Sequence, residues 1–291
     1  MHRRDALRWL GFGALQLAGL NAVAGSANPA HALPGDARLV TIGGGLTETV
    51  FALGSGERVV GADTTSTHPP EAESVPRVGY QRALTPESIL AVRPYALLHD
   101  GSAGPTSTFE RVRNAGVQIL TVSGEPTMDG FRDRVRTVGH WLGVPESADR
   151  LVAGIEKDIG EARRTQSTWT RPPRLVVLMA HGQGNAIAAG RDTRANALIR
   201  LSGATNAFED YSGYRPVSRE GVLARRPDAM VITGAAAADF GGLLARIPQY
   251  AQDTLFLLGF GPRLGEAVLG VTRFLDTHAA ARAAATQTTR A

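Results

Sequence analysis

The sequence predicts an α/β chain built as two similar lobes joined by a single long helix, and three observations carry that reading. Short apolar runs alternate with helical stretches from residue 38 to about residue 275, the pattern of a parallel sheet covered by helices. Residues 145–170 form one amphipathic stretch of helical period, interrupted only by the single glycines Gly154 and Gly160. On either side of it the chain echoes itself. Leu84-Thr85-Pro86-Glu87 leads through a short helical stretch to Pro94 and an apolar run; Val217-Ser218-Arg219-Glu220 leads in the same way to Pro227 and another. Thr85 and Ser218 suit an N-cap, and Glu87 and Glu220 complement the positive end of the helix that follows.

The first lobe is assigned to residues 33–144, with strands expected at 38–42, 58–61, 95–98 and 117–122. Its helices are expected over 47–53, stopped by Gly54, over 109–115, closed by Gly116, and over 128–142, ended by Gly143 and Pro145. The linker helix takes 145–170. The second lobe, 171–291, opens with a strand at 174–179 after Pro172-Pro173, then a helix at 195–201 stopped by Gly203 and a strand at 229–233. Residues 286–291 are polar, the composition of a frayed end.

Residues 1–32 read as a signal peptide of the twin-arginine kind. Arg3 and Arg4 are adjacent, an uncharged Ala-, Leu- and Gly-rich stretch runs over 9–30, and Ala30-His31-Ala32 places small residues around an arbitrary one, as a signal peptidase requires. The stretch is too glycine-rich for a good membrane span, so an exported, soluble periplasmic protein is expected. There is no cysteine, which excludes a lipid-anchoring cysteine, thiolate metal sites and a cysteine nucleophile, and is compatible with an oxidising compartment. About 259 residues remain, enough for two lobes with their own cores. The formal net charge is +4 and Lys157 is the only lysine; with neither a basic tract nor interleaved aromatics, nothing suggests a nucleic-acid partner.

Five stretches carry a family resemblance through their order and spacing: Ile42-Gly-Gly-Gly-Leu-Thr-Glu-Thr-Val-Phe-Ala-Leu-Gly54, Val60-Gly-Ala-Asp-Thr-Thr-Ser66, Val78-Gly-Tyr-Gln-Arg-Ala-Leu84, Ala189-Gly-Arg-Asp-Thr193 and Leu257-Leu-Gly-Phe-Gly-Pro-Arg263. Together they resemble the substrate-binding proteins of metal-chelate ABC importers, which handle vitamin B12, ferric siderophores and haem, and within that group the periplasmic haem-binding proteins. The resemblance spans residues 38–275. It implies a class III periplasmic binding fold of two Rossmann-like lobes, no enzymatic activity, haem as transported ligand, an inner-membrane ABC permease as partner, and a monomer.

The resemblance puts an iron-ligating tyrosine at Tyr80 within Gly79-Tyr80-Gln81-Arg82. Ferric iron is hard and favours an anionic oxygen, which a tyrosinate supplies. A free phenol titrates near about 10, so ligation at neutral pH needs the metal and a nearby positive charge, for which Arg82 is the candidate. If this segment is extended, both side chains fall on one side of it. On its residues alone, Tyr80 reads equally as an ordinary loop aromatic. From the second lobe, His181 is a candidate second ligand, although a lone histidine is more often structural. Tyr211, Tyr214 and Arg215 lie in a turn-rich stretch and are candidates for stacking on a porphyrin or pairing with a propionate. Glu87 and Glu220 cap their helices by residue type; the resemblance adds docking onto permease arginines, one glutamate per lobe. One departure stands out. Only residues 249–256 are available for the basic segment and final strand that precede Leu257 in relatives, so the last strand is not defined by the sequence. One haem or two, and five- or six-coordinate iron, stay open.

The alternative within the same fold is a ferric-siderophore or cobalamin carrier; such pockets do not require a phenolate, so Tyr80 with Arg82 argues for haem. An enzyme finds little support. Gly182-x-Gly184 followed by Gly190 lacks dinucleotide spacing, no Gly-x-Ser-x-Gly occurs, and no histidine pair has metal-ligand spacing on one helix. Asp63 and His68 read as a solvated loop pair at most able to hold a surface metal.

Overall fold

The computed structural model describes residues 32–181, 185–234, 244 and 246–280. Residues 1–31 of the expected signal segment and the polar tail 286–291 lie outside them.

The first lobe runs β1 (Leu39–Thr41), α1 (Gly44–Ala52), β2 (Val59–Ala62), α2 (Pro70–Glu73), α3 (Pro86–Ala91), β3 (Ala96–His99), α4 (Thr106–Asn114) and β4 (Gln118–Thr121). Its four strands form an all-parallel sheet in the order β2-β1-β3-β4. The central residues of the strands are apolar on both sides of the sheet because both faces are covered. Val40, Leu97 and Ile119 pack toward Ile89, Phe109 and Val112 of α3 and α4. Leu39, Leu98 and Leu120 pack on the opposite face toward Phe131, Val135 and Val138 of α5 (Met128–Leu142). A strand buried on both faces has no polar side to alternate with.

The linker α6 (Pro145–Gln166) is a continuous helix with proline in its first turn. Its buried residues, Ala148, Val152, Ile155, Ile159 and Ala162, recur every three to four positions and form one stripe.

The second lobe runs β5 (Arg174–His181), β6 (Asn185–Ala189), α7 (Arg194–Leu201), β7 (Thr205–Asn206), β8 (Tyr214–Pro216), α8 (Arg219–Ala224), β9 (Ala229–Thr233), β10 (Gln249–Gln252), α9 (Thr254–Leu258) and α10 (Leu264–Leu275). Its sheet is mixed rather than parallel. β10, β9, β5 and β7 run parallel, whereas β6 pairs antiparallel with β5, and β8 antiparallel with β6. The first strand of the lobe reaches two residues beyond the expected 179 because Leu178–His181 pair with Asn185–Ala188 in this hairpin. The last strand, undefined by sequence, is present as β10 in parallel register with β9.

One hydrophobic cluster passes through both lobes, taking Leu39 and Leu98 from the first, Val152 and Ile155 from α6, Leu175 and Val231 from the second, and Val268 and Leu275 from α10. The C-terminal segment is what closes it. α10 lies along α6, and the loop before it returns to α1 of the first lobe. There Gly45 and Gly259 meet backbone to backbone: a Cβ on Gly45 would sit 2.1 Å from the Gly259 carbonyl oxygen, which no side chain can do.

Candidate ligand-binding cleft

The loops after β1 and β2 face the starts of α7 and α9 across a cavity of about 330 Å³, lined by Gly43, Thr65, Gln81, Arg194, Asp253 and Leu255 among others. Both lobes contribute, and the first-lobe part comes from the carboxyl ends of parallel strands, where open α/β sheets place ligands. A larger cavity of about 710 Å³ opens beside α1 around Phe51, His68, Glu71 and Arg263. Neither cavity is lined by an expected ligand residue; the smaller one reaches Gln81, which lies between Tyr80 and Arg82.

Gln81 belongs to the turn that presents Tyr80. Residues 80–83 are not extended; the Ala83 N–H donates to the Tyr80 carbonyl at 2.8 Å and closes a turn with Gln81 and Arg82 in its middle. The extended alternation expected from the sequence is therefore replaced by turn geometry, with Tyr80 48% exposed and Arg82 exposed beside it. The turn is fixed at its base. Thr64 N–H donates to the Gly79 carbonyl (3.0 Å), Gly104 N–H to the Gln81 carbonyl (2.9 Å), and Leu84 N–H to the Gly104 carbonyl (3.1 Å).

Tyr214 opens β8 of the second lobe. It is 40% exposed, and its hydroxyl is hydrogen-bonded to the Thr193 side chain and the Ala195 backbone at the start of α7. Burial of the ring pushes its phenol up, against those hydrogen bonds and the positive charges of Arg194 and Arg82.

The neighbouring candidates are placed differently. Tyr211 is buried, donates its hydroxyl to the Ala188 carbonyl (2.9 Å) and packs at 6.0 Å against Phe208. Its polar atom is satisfied inside the lobe and its ring belongs to the second-lobe core. Arg215 is exposed and lays its guanidinium 4.6 Å from the centre of the Tyr211 ring. His181 closes β5 opposite Asn185, and its side chain lies outside the described residues. Glu87 and Glu220 are exposed in the first turns of α3 and α8, behind the N-caps Thr85 and Ser218. Hydrogen bonds from its own backbone N–H and from the Ser218 hydroxyl hold the Glu220 carboxyl below the usual range.

Asp63 corrects another expectation. It is fully buried, not solvated, and its carboxylate accepts from Gly43 N–H (2.8 Å), Thr65 N–H (3.0 Å), Thr65 hydroxyl (2.6 Å) and Ser66 hydroxyl (2.9 Å). With these hydrogen bonds it ties Gly43 and Thr65, which line the cleft, to one another.

No sequence signal marks the polar contacts that join the lobes. Arg194 pairs with Asp100 at the end of β3 and donates to the Gly259 carbonyl at 3.4 Å. Arg134 of α5 is buried and donates to the Phe260 carbonyl at 2.7 Å; burial first, and repulsion from Arg194 second, bring its guanidinium down to about 10. Arg263 pairs with Glu48, whose carboxyl burial pushes up more than Arg263 pulls it down. Arg263 and Glu48 belong to two of the stretches that carry the family resemblance, and so do Gly45 and Gly259.

Residues 39–252 match a family described as periplasmic binding protein. Among solved structures the chain is similar to the periplasmic heme-binding protein BhuT in complex with two hemes. That pair is 36% identical over 84% of this chain and 99% of the other, with a TM-score of 0.77. It is similar, too, to the periplasmic heme-binding protein RhuT from Roseiflexus sp. RS-1 in apo form, at 35% identity over 84% and 99% of the two chains and a TM-score of 0.76. The vitamin B12-binding protein of Pectobacterium atrosepticum is 29% identical over 211 residues, 71% of this chain and 74% of that protein. Among the described residues no helix is long and apolar enough to cross a membrane. A binding protein and not an enzyme, the chain belongs to the periplasmic binding protein family.

Proposed function

We propose that the chain captures haem in the periplasm and delivers it to the permease of an ABC importer. The observation that carries this is the Tyr80 turn. A phenol and a guanidinium stand exposed on a rigidly tethered turn beside the inter-lobe cavity, the chemistry that ferric porphyrin asks for. Arg82, exposed on the same turn, is available to a propionate. Tyr214 offers an aromatic edge from the facing lobe while its hydroxyl stays on α7. The two solved haem-binding relatives named above support the same ligand class.

Titrating haemin into the purified mature chain and into Tyr80→Phe, followed by absorbance, tests the reading. Saturable binding with a high-spin tyrosinate spectrum that the variant loses is expected. The B12-binding relatives favour a second reading, a corrinoid carrier, so cyanocobalamin is titrated alongside. Saturation by cobalamin with none by haemin overturns the haem assignment.

A further inference from the structure

Resting on Tyr80 as the iron ligand, we propose that Asp100 is the positioning residue that couples the second lobe to the ligand turn. Asp100 stands at the carboxyl end of β3, with its side chain 7% exposed. Its two carboxylate oxygens do different things. One accepts from the Ser102 N–H (3.0 Å) and the Ser102 hydroxyl (2.6 Å), winding the loop 100–104 into a fixed shape. The other accepts from Arg194, at the first turn of α7 in the facing lobe.

The loop that Asp100 shapes is the one that grips the Tyr80 turn. Gly104, at its far end, donates to the Gln81 carbonyl and accepts from Leu84 N–H, so both sides of the turn hang from this loop. Thr108 adds a hydroxyl donated to the Leu84 carbonyl at 3.0 Å. On the other side, Arg194 sits beside Thr193 and Ala195, which hold the Tyr214 hydroxyl, and also lines the cavity with Gln81. A single carboxylate thus links the wall bearing Tyr214 to the wall bearing Tyr80. Burial pushes the Asp100 carboxyl up, but Arg194 and the Ser102 hydrogen bonds outweigh it, so the group stays ionised and paired.

Asp100→Asn keeps the size and an acceptor for Ser102 but removes the charge facing Arg194, and Arg134 then adds to an unbalanced positive cluster. The iron ligand itself is untouched. Haem should therefore still bind, with part of the tyrosinate spectrum replaced by a water- or hydroxide-ligated form. Release of haem to excess apomyoglobin should be roughly tenfold faster, within the range usual for coupled sites. Asp100→Glu, which restores a carboxylate, should recover most of the tyrosinate fraction. If Asp100→Asn does not fold, as judged by circular dichroism, Arg194→Gln breaks the same link from the second lobe and should give the same spectral change. A tyrosinate fraction and release rate equal to wild type in the folded variant overturn the proposal. Tyr80→Phe run in parallel separates the two failures. If that variant keeps the wild-type spectrum, the ligand reading is at fault; if it loses it while Asp100→Asn is silent, only the positioning role falls.

Discussion

His99 and Asp100 are neighbours at the end of β3, and burial treats them in opposite ways. Asp100 has an arginine across the cleft; His99 has only neutral partners. Its ring stacks on Phe109 at 4.2 Å and 9°, its Nδ1 accepts the Gly101 N–H (3.2 Å), and its Nε2–H then donates to the Thr121 hydroxyl (3.0 Å). Burial brings the imidazole down to about 4 from 6.5, with Asp100 opposing and Arg113 assisting. The folded chain therefore holds His99 neutral while the unfolded chain takes up a proton below pH 6.5. Stability from this residue is complete above that pH and is lost as pH falls toward 4, by about 2 kcal/mol at pH 5. Urea unfolding at pH 7 and pH 5 should show a loss in wild type that exceeds the loss in His99→Gln by that amount. At this scale the sequence was legible only where partners are close in the chain. Tyr80 and Arg82 share one turn and could be read together. Arg194 and Asp100 are 94 positions apart, and Arg263 and Glu48 are 215 apart, with no pattern in either stretch that names the other.

At the scale of elements, α6 shows which parts of a fold a sequence displays. Its proline start and its apolar stripe made it visible, and so did the capped helix α5 before it. The doubly covered strands β1, β3 and β9 were visible as continuous apolar runs. β6 has Ile187 as its one branched apolar residue, β8 is three exposed residues ending in Pro216, and β10 is a polar edge strand of sequence QYAQ. None of these carries a period: β6 is buried through small alanines, and β8 and β10 are largely exposed, so hydrogen bonding to a neighbouring strand defines them. Gly154 is exposed on α6 with nothing within 4 Å of where a Cβ would stand. Gly154→Ala should stabilise the protein by about 1 kcal/mol. The expected readout is a higher urea midpoint at unchanged slope.

For the molecule as a whole, the exposed Glu87 and Glu220 are the repeated feature that the ligand cleft does not use. We propose that they are the contacts to the permease, one from each lobe. Charge reversal of both, Glu87→Lys with Glu220→Lys, should abolish haem uptake by cells and leave haemin affinity of the purified chain unchanged. Weakened haemin binding in the double variant would place the residues in the cleft instead. The lobes themselves are not independent bodies, since the final segment of the chain covers α6 and reaches α1 through Gly259. That segment is synthesised only after the strands of both sheets. Until it has left the ribosome, the apolar stripe of α6 and the Gly45 seam have no cover, so each lobe can form its sheet early but the pair cannot dock. A nascent chain stalled before residue 259 should remain protease-sensitive along the linker helix, and emergence of residues 259–275 should complete folding in one step.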